Sequence, residues 1–140
     1  MDKILLLIIS TCFLACNSNN QSHREQVKFD QYMVEGQRLY QLHCSNCHQL
    51  NGEGVGTLYP PISQSDFLIN NTAQVACLIR NGISGEIKVN GVKYNQTMPG
   101  VAHLTNLEIA EITTYVYNTW GRKQGIIGVK QLEEVLNKCK

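Results

Sequence analysis

The sequence has no excess of charge of either sign. It holds 12 Lys and Arg residues against 11 Asp and Glu residues, so the formal net charge of the 140-residue chain is +1. Proteins that bind nucleic acid usually carry a basic excess or a basic stripe, and this sequence has neither. The charge balance therefore argues against a nucleic-acid-binding protein.

Long apolar runs are also scarce. One run, Ile4 to Ile9, lies near the start and is too short to cross a bilayer as a permanent helix. A short charged start, this apolar centre and small residues before Cys16 are typical of a secretory signal, predicted here at residues 1–15. The last residues of this segment resemble the end of a bacterial lipoprotein signal, which implies that Cys16 is lipidated. A plain secretory signal is the alternative.

Residues 16–28 are almost entirely polar and show no apolar period. This composition predicts a flexible linker between an anchor and a folded domain. A lipid on Cys16 would hold that domain at a bacterial membrane. We therefore expect an exported protein, tethered in the periplasm or cell envelope.

Cysteine, by contrast, is abundant, with six residues in the chain. One pair lies in the run Cys44-Ser45-Asn46-Cys47-His48, which has the C-x-x-C-H pattern of covalent haem attachment. Two thiols three residues apart on a helical turn can each form a thioether with one haem vinyl group. The imidazole of His48 then faces the iron, a metal that imidazole suits. We expect one covalent haem c at this motif.

A C-x-x-C pair has two alternative roles, as a redox dithiol or as half of a zinc site. A redox dithiol is expected just after a strand, whereas residues 29–42 look helical. A zinc site requires two more ligands at ordered spacing, and the sequence has no second C-x-x-C. Either protein would be colourless, which separates both from a haem protein.

Beyond the motif, Gly36 and Tyr40 stand eight and four residues before Cys44. With this pair, residues 30–121 resemble the monohaem class I cytochrome c family, which has a glycine and an aromatic residue there. Close helix crossing explains both, because glycine lets another backbone approach and the aromatic ring packs in the same seam. The expected partner is a later helix that carries three apolar residues: Ile112, Tyr115 and Val116.

The resemblance implies an all-α fold, the class I cytochrome c fold, a small helical bundle around one covalent haem. We place this domain at residues 29–121 and predict helices at 72–79 and from a cap at Thr105 to about residue 120. Asn90-Gly91 lies between two short β-rich runs and predicts a β-hairpin insertion.

The extension at residues 122–140 lies beyond the minimal fold. Its apolar residues recur at helical spacing and predict a final amphipathic helix: Val129, Leu132, Val135 and Leu136. This helix could pack on its own domain or meet a partner. An exported compartment permits a disulfide between Cys77 and Cys139, and two separate thiols are the alternative.

The resemblance also implies an axial methionine on the other face of the iron, in a loop that often continues with proline. Met98, followed by Pro99, fits this description, whereas Met33 precedes the attachment motif. A methionine opposite histidine raises the reduction potential. Two alternatives remain, His103 as the second ligand or an open iron.

In the same family, a proline carbonyl after the motif accepts the other N–H of the ligating histidine and fixes its ring. Pro60 and Pro61 are the candidates for His48, and Pro60 fits better because an apolar residue follows two places later.

The function implied by the resemblance is electron transfer rather than enzymatic catalysis. We expect a monomeric, membrane-anchored shuttle between a respiratory donor and a terminal oxidase or reductase. The alternative is a haem peroxidase or gas-binding sensor with an open or bis-histidine iron.

Overall fold

The computed structural model of the protein describes residues 2–70 and 72–139, except the side chains of residues 2–19, 70, 72 and 73. The chain forms two compact units, residues 1–31 and residues 32–140. The predicted lipidation site Cys16 lies outside the residues whose side chains are described, so lipidation stays a prediction. In the described part of the chain, each helix is too short or too polar to serve as a bilayer span.

Helix α1 runs from Asp2 to His43. It includes residues 16–28, so the backbone there is regular where the sequence predicts a flexible linker. The difference has a local cause, because no glycine or proline interrupts residues 16–35 and several Gln, Glu, Arg and Lys residues favour helix. The side chains of residues 20–28 are exposed.

The second unit adds five shorter helices and four short strands among the described residues. The helices are α2 (Ser45–His48), α3 (Asp66–Asn70), α4 (Thr72–Asn81), α5 (Asn106–Asn118) and α6 (Val129–Leu136). The strands are β1 (Gly82–Ile83), β2 (Ile87–Val89), β3 (Val92–Tyr94) and β4 (Met98–Pro99). The helical class that the sequence implies is confirmed.

The predicted hairpin is also confirmed. Strands β2 and β3 pair antiparallel, with Ile87 opposite Tyr94. Between them, Asn90 and Gly91 have φ angles of 49° and 83°. Positive φ at both central residues is the requirement of the tight turn that Asn-Gly favours.

The core of the second unit forms where α1 crosses α5. Gly36 lies so close to α5 that an added Cβ atom would overlap the carbonyl group of Glu111. Tyr40 is fully buried, and its ring centroid lies 5.5 Å from that of Tyr115. The predicted close crossing is therefore present, since any larger residue at position 36 would push the two helices apart.

Helix α5 begins as its sequence predicts. The hydroxyl oxygen of Thr105 accepts a hydrogen bond from the backbone N–H of Glu108, and the Glu108 carboxylate accepts one from the backbone N–H of Thr105. This reciprocal pair stabilises the first turn.

The extension folds back on its own domain. Helix α6 packs against α4 and α5 and buries Leu132. Cys77 of α4 and Cys139 are joined by a disulfide, with their Cα atoms 5.5 Å apart.

Candidate haem site

The attachment motif continues directly from α1. The backbone N–H of Cys44 donates to the carbonyl of Tyr40 at 2.9 Å, so the helical turn extends into the motif. Cys44, Cys47 and His48 all line one cleft, and both thiols are free. The turn thus presents two thiols and one imidazole to the same space.

A proline carbonyl holds the imidazole of His48. Its Nδ1 donates to the carbonyl oxygen of Pro60 at 2.9 Å. Pro61 also lines the cleft. Burial lowers the pKa of His48, and the bond to Pro60 acts in the opposite direction. A neutral ring with Nδ1–H engaged leaves the lone pair of Nε2 available for a metal.

The Cys44 thiol lacks the lowered pKa of a redox dithiol. Burial, and then the neighbouring Cys47, raises the pKa of the Cys44 thiol to about 12. Reactive dithiols have lowered thiol pKa values, because the thiolate is the nucleophile. The pair also follows a helix rather than a strand.

Met98 lies on a strand pairing that the sequence analysis did not predict. Strands β1 and β4 pair antiparallel, with Ile83 opposite Met98. Gly82, at φ 74°, lets the two backbones meet, because an added Cβ would overlap the Met98 carbonyl. Met98 and Ile83 both line the cleft that His48 lines.

His103, the alternative ligand, lies elsewhere. It is exposed and is not among the residues that line the cleft. Its ring instead contacts His43, with the ring centroids 5.5 Å apart.

The cleft has about 980 Å³ of empty space, a volume that includes open solvent. Aliphatic side chains form much of its wall: Leu68, Val75, Leu78, Ile79, Val89, Ile112 and Val116. Apolar walls with a few placed polar groups are typical of a cofactor site. The residues fit a haem, since two thiols and an imidazole lie at one side and a thioether sulfur also lines the space. When bound, haem supplies an iron that gains and loses single electrons.

A zinc site lacks support from the same residues. Across the described side chains, no group of three or more His, Cys, Asp and Glu residues is suited to hold a metal ion. Structural zinc usually takes four such ligands.

Two contacts near the motif were missed from the sequence. The hydroxyl of Tyr40 donates to the carbonyl of Gln49 at 2.7 Å, and Gln49 has a φ of 63°. Arg122 Nη2 donates to the carbonyl of Ile62 at 2.6 Å. The sequence identified Tyr40 as a packing residue, but no local pattern signals a hydroxyl bond to the chain after His48.

Comparison with known proteins agrees with this site. The cytochrome c family profile matches residues 33–120. A cytochrome c-552 of Thermus thermophilus is 30% identical over 101 residues, which covers 69% of this chain and 76% of that protein. The cytochrome c subunit of a quinone alcohol dehydrogenase from Gluconacetobacter polyoxogenes is 27% identical over 93 residues, 64% of this chain but 19% of that subunit.

A helical domain with one C-x-x-C-H motif, an apolar cleft and a match to the cytochrome c profile over residues 33–120 is a monohaem class I type of cytochrome. The chain belongs to the cytochrome c family. It binds one covalent haem c and its chemistry is electron transfer.

Proposed function

We propose that this protein is a single-electron carrier whose haem iron is held between His48 and Met98. The observation that carries the proposal is that both side chains line one apolar cleft, on separate elements. Pro60 holds the ring of His48, and pairing with Ile83 holds the backbone of Met98. A methionine opposite a histidine suits electron transfer, because it raises the reduction potential.

Two filled axial positions leave no room for a substrate on the iron. The chain residues then have three tasks: to attach the haem at Cys44 and Cys47, to orient His48, and to exclude water with the aliphatic wall. This arrangement favours a carrier over a haem peroxidase or gas sensor, and we propose that the protein is not an enzyme.

We further propose that lipidated Cys16 anchors the protein on the periplasmic side of a bacterial membrane. The exposed helical segment from residue 20 to residue 28 would then act as a spacer. Replacing Cys16→Ser should move the protein from the membrane fraction to the soluble fraction of fractionated cells. Unchanged membrane association would contradict the anchor.

As partners we propose a respiratory donor and a terminal oxidase or reductase, met by a monomer in small, transient contacts. The similarity to a domain of a subunit of quinone alcohol dehydrogenase supports exchange with other redox proteins.

Substitution of the two described methionines tests the iron ligands. The oxidised holo-protein should show the weak long-wavelength band that marks an iron–methionine bond in this family. Met98→Leu should abolish that band, lower the midpoint potential and open the iron to carbon monoxide. Met33→Leu is the matched control, because Met33 packs against the core and does not line the cleft.

Two results would contradict the proposal. If the band survives in Met98→Leu, another group holds the iron. If the unaltered protein is high-spin and binds carbon monoxide, an open iron and the sensor or peroxidase alternative are favoured.

A further inference from the structure

Two histidines outside the haem cleft lie against each other. His43 is the last residue of α1, and His103 lies in the loop between β4 and α5. Their ring centroids are 5.5 Å apart, at an angle of 65° between the ring planes. His43 is half-buried and His103 is exposed, so solvent reaches the pair. The haem site uses neither ring.

A fixed carboxylate lies near both rings. Glu108 Oε2 accepts hydrogen bonds from the backbone N–H and the hydroxyl of Thr105, at 2.7 and 2.8 Å. These bonds lower the pKa of Glu108, and the charges of His103 and His43 lower it further. The carboxylate therefore stays ionised and places a negative charge beside the imidazoles. Arg38, a cation that interacts electrostatically with Glu108, is paired with Glu35 at 3.0 Å.

We propose that His43 and His103 bind one divalent transition-metal ion of the zinc, nickel or copper class, with water completing its coordination. Imidazole is a preferred ligand of these ions. Zinc–nitrogen bonds are about 2.0–2.1 Å, so two imidazoles on one tetrahedral ion have centres roughly 5 Å apart. The observed 5.5 Å is close to this spacing, and it is also the spacing of an edge-to-face contact between the two rings. The anionic Glu108 favours a cation without being a ligand.

The site would have two protein ligands, because no group of three or more metal-binding side chains occurs among the described residues. We therefore expect reversible binding, weaker than that of a four-ligand structural zinc site. Hard ions such as magnesium prefer oxygen ligands and should not bind there.

The position of the pair gives the ion a second effect. His43 directly precedes Cys44, and His103 follows the strand that carries Met98. A bound ion would link the two segments that flank the haem cleft and place positive charge beside it. Positive charge favours the reduced haem, which carries less positive charge, so the midpoint potential should rise.

Titration calorimetry of the holo-protein with nickel chloride and zinc chloride tests the site. We expect saturable binding of one ion per chain, at least tenfold weaker in His103→Asn and in His43→Asn. His23→Asn is the matched control, because His23 is exposed on α1 and is not one of the two paired histidines. It should bind like the unaltered protein, and magnesium chloride should give no binding.

The proposal is overturned if the unaltered protein shows no saturable binding, or if His103→Asn binds nickel as tightly as His23→Asn does. A redox titration is the second readout, in which nickel should raise the midpoint potential of the unaltered protein but not of His103→Asn. The Met98→Leu variant should still bind nickel. A failure of the proposed iron ligation is therefore separable from a failure of this site.

Discussion

At the scale of single residues, Glu111 is a carboxyl group in an environment poorly suited to a charge. It is buried where α5 crosses α1. Burial raises its pKa, the charges of Glu35 and Glu108 raise it further, and Arg38 acts in the opposite direction. The folded protein therefore holds the Glu111 proton more tightly than the unfolded chain does.

The sign of the pH effect follows from this raised pKa. The contribution of Glu111 to stability is fully present below the pKa of the unfolded chain, and is lost as the pH rises through the pKa of the folded state. Glu111→Gln should therefore be more stable than the unaltered protein at neutral pH, and the difference should vanish in acid. Denaturant unfolding of the holo-proteins at about pH 4, below the ordinary pKa of a glutamate, and at about pH 7 measures it.

Glu134→Gln, on the exposed side of α6, is the control and should change stability little at either pH. A Glu111→Gln protein that is less stable than the unaltered protein at pH 7 would show that the carboxylate makes a stabilising contact instead.

Residues whose role depends on local spacing could be predicted from the sequence. The spacing in C-x-x-C-H identified Cys44, Cys47 and His48 as one group, and all three line the cleft. The bond from Arg122 to the carbonyl of Ile62 could not be predicted, because it joins residues 60 positions apart. Such contacts depend on how the elements pack.

At the scale of elements, the hairpin is fixed to α3 by a reciprocal pair of hydrogen bonds. The backbone N–H of Asp66 donates to Asn90 Oδ1 at 3.0 Å, and the backbone N–H of Asn90 donates to Asp66 Oδ1 at 2.7 Å. Val89, next to Asn90, is buried and lines the haem cleft. The paired bonds thus hold the turn of the hairpin at the edge of the site.

Removal of either side chain should loosen the hairpin. Asn90→Gly keeps the positive φ of the turn but removes one acceptor, and Asp66→Ala removes the other. Each should destabilise the hairpin by about 0.5–1 kcal/mol, the net value of an exposed hydrogen bond. Hydrogen exchange of the β2 and β3 amides in the reduced holo-protein measures the effect as a two- to fivefold loss of protection, on the order expected from that energy.

Lys88→Ala serves as the control, because Lys88 is exposed on β2 and lies outside the pair of bonds. Equal protection in all four proteins would mean that strand pairing and the burial of Val89 hold the hairpin without the bonds to α3.

The elements also differ in how readily their sequences predicted them. Asn90-Gly91 and the Thr105 cap have strong local signatures, and both were predicted correctly. The pairing of β1 with β4 was not predicted, because strands of two residues are too short to show a periodic pattern. The helical backbone of residues 16–28 was missed because polar composition alone does not separate an exposed helix from a linker.

At the scale of the whole molecule, α4 separates the haem cleft from the extension. Val75, Leu78 and Ile79 line the cleft, whereas Ala76 lies with Leu132 of α6 along a different groove. The sequence predicted a helix at residues 72–79 but not which of its residues line the cleft. Which residues of α4 face the extension depends on residues 122–140. These residues lie outside the part of the chain that matches the family profile.

The disulfide between Cys77 and Cys139 should therefore stabilise the fold without tuning the haem. It closes a loop across a sequence separation of 62 residues, and such a cross-link typically contributes about 2–4 kcal/mol. The double variant Cys77→Ser/Cys139→Ser should lose free energy of unfolding of that order. Its visible spectrum and midpoint potential should not change, because the cleft side of α4 keeps its residues. Chemical reduction of the unaltered protein is the control, since thioether bonds survive it and only the disulfide opens. A changed spectrum in the folded double variant would mean that the extension also shapes the haem cleft.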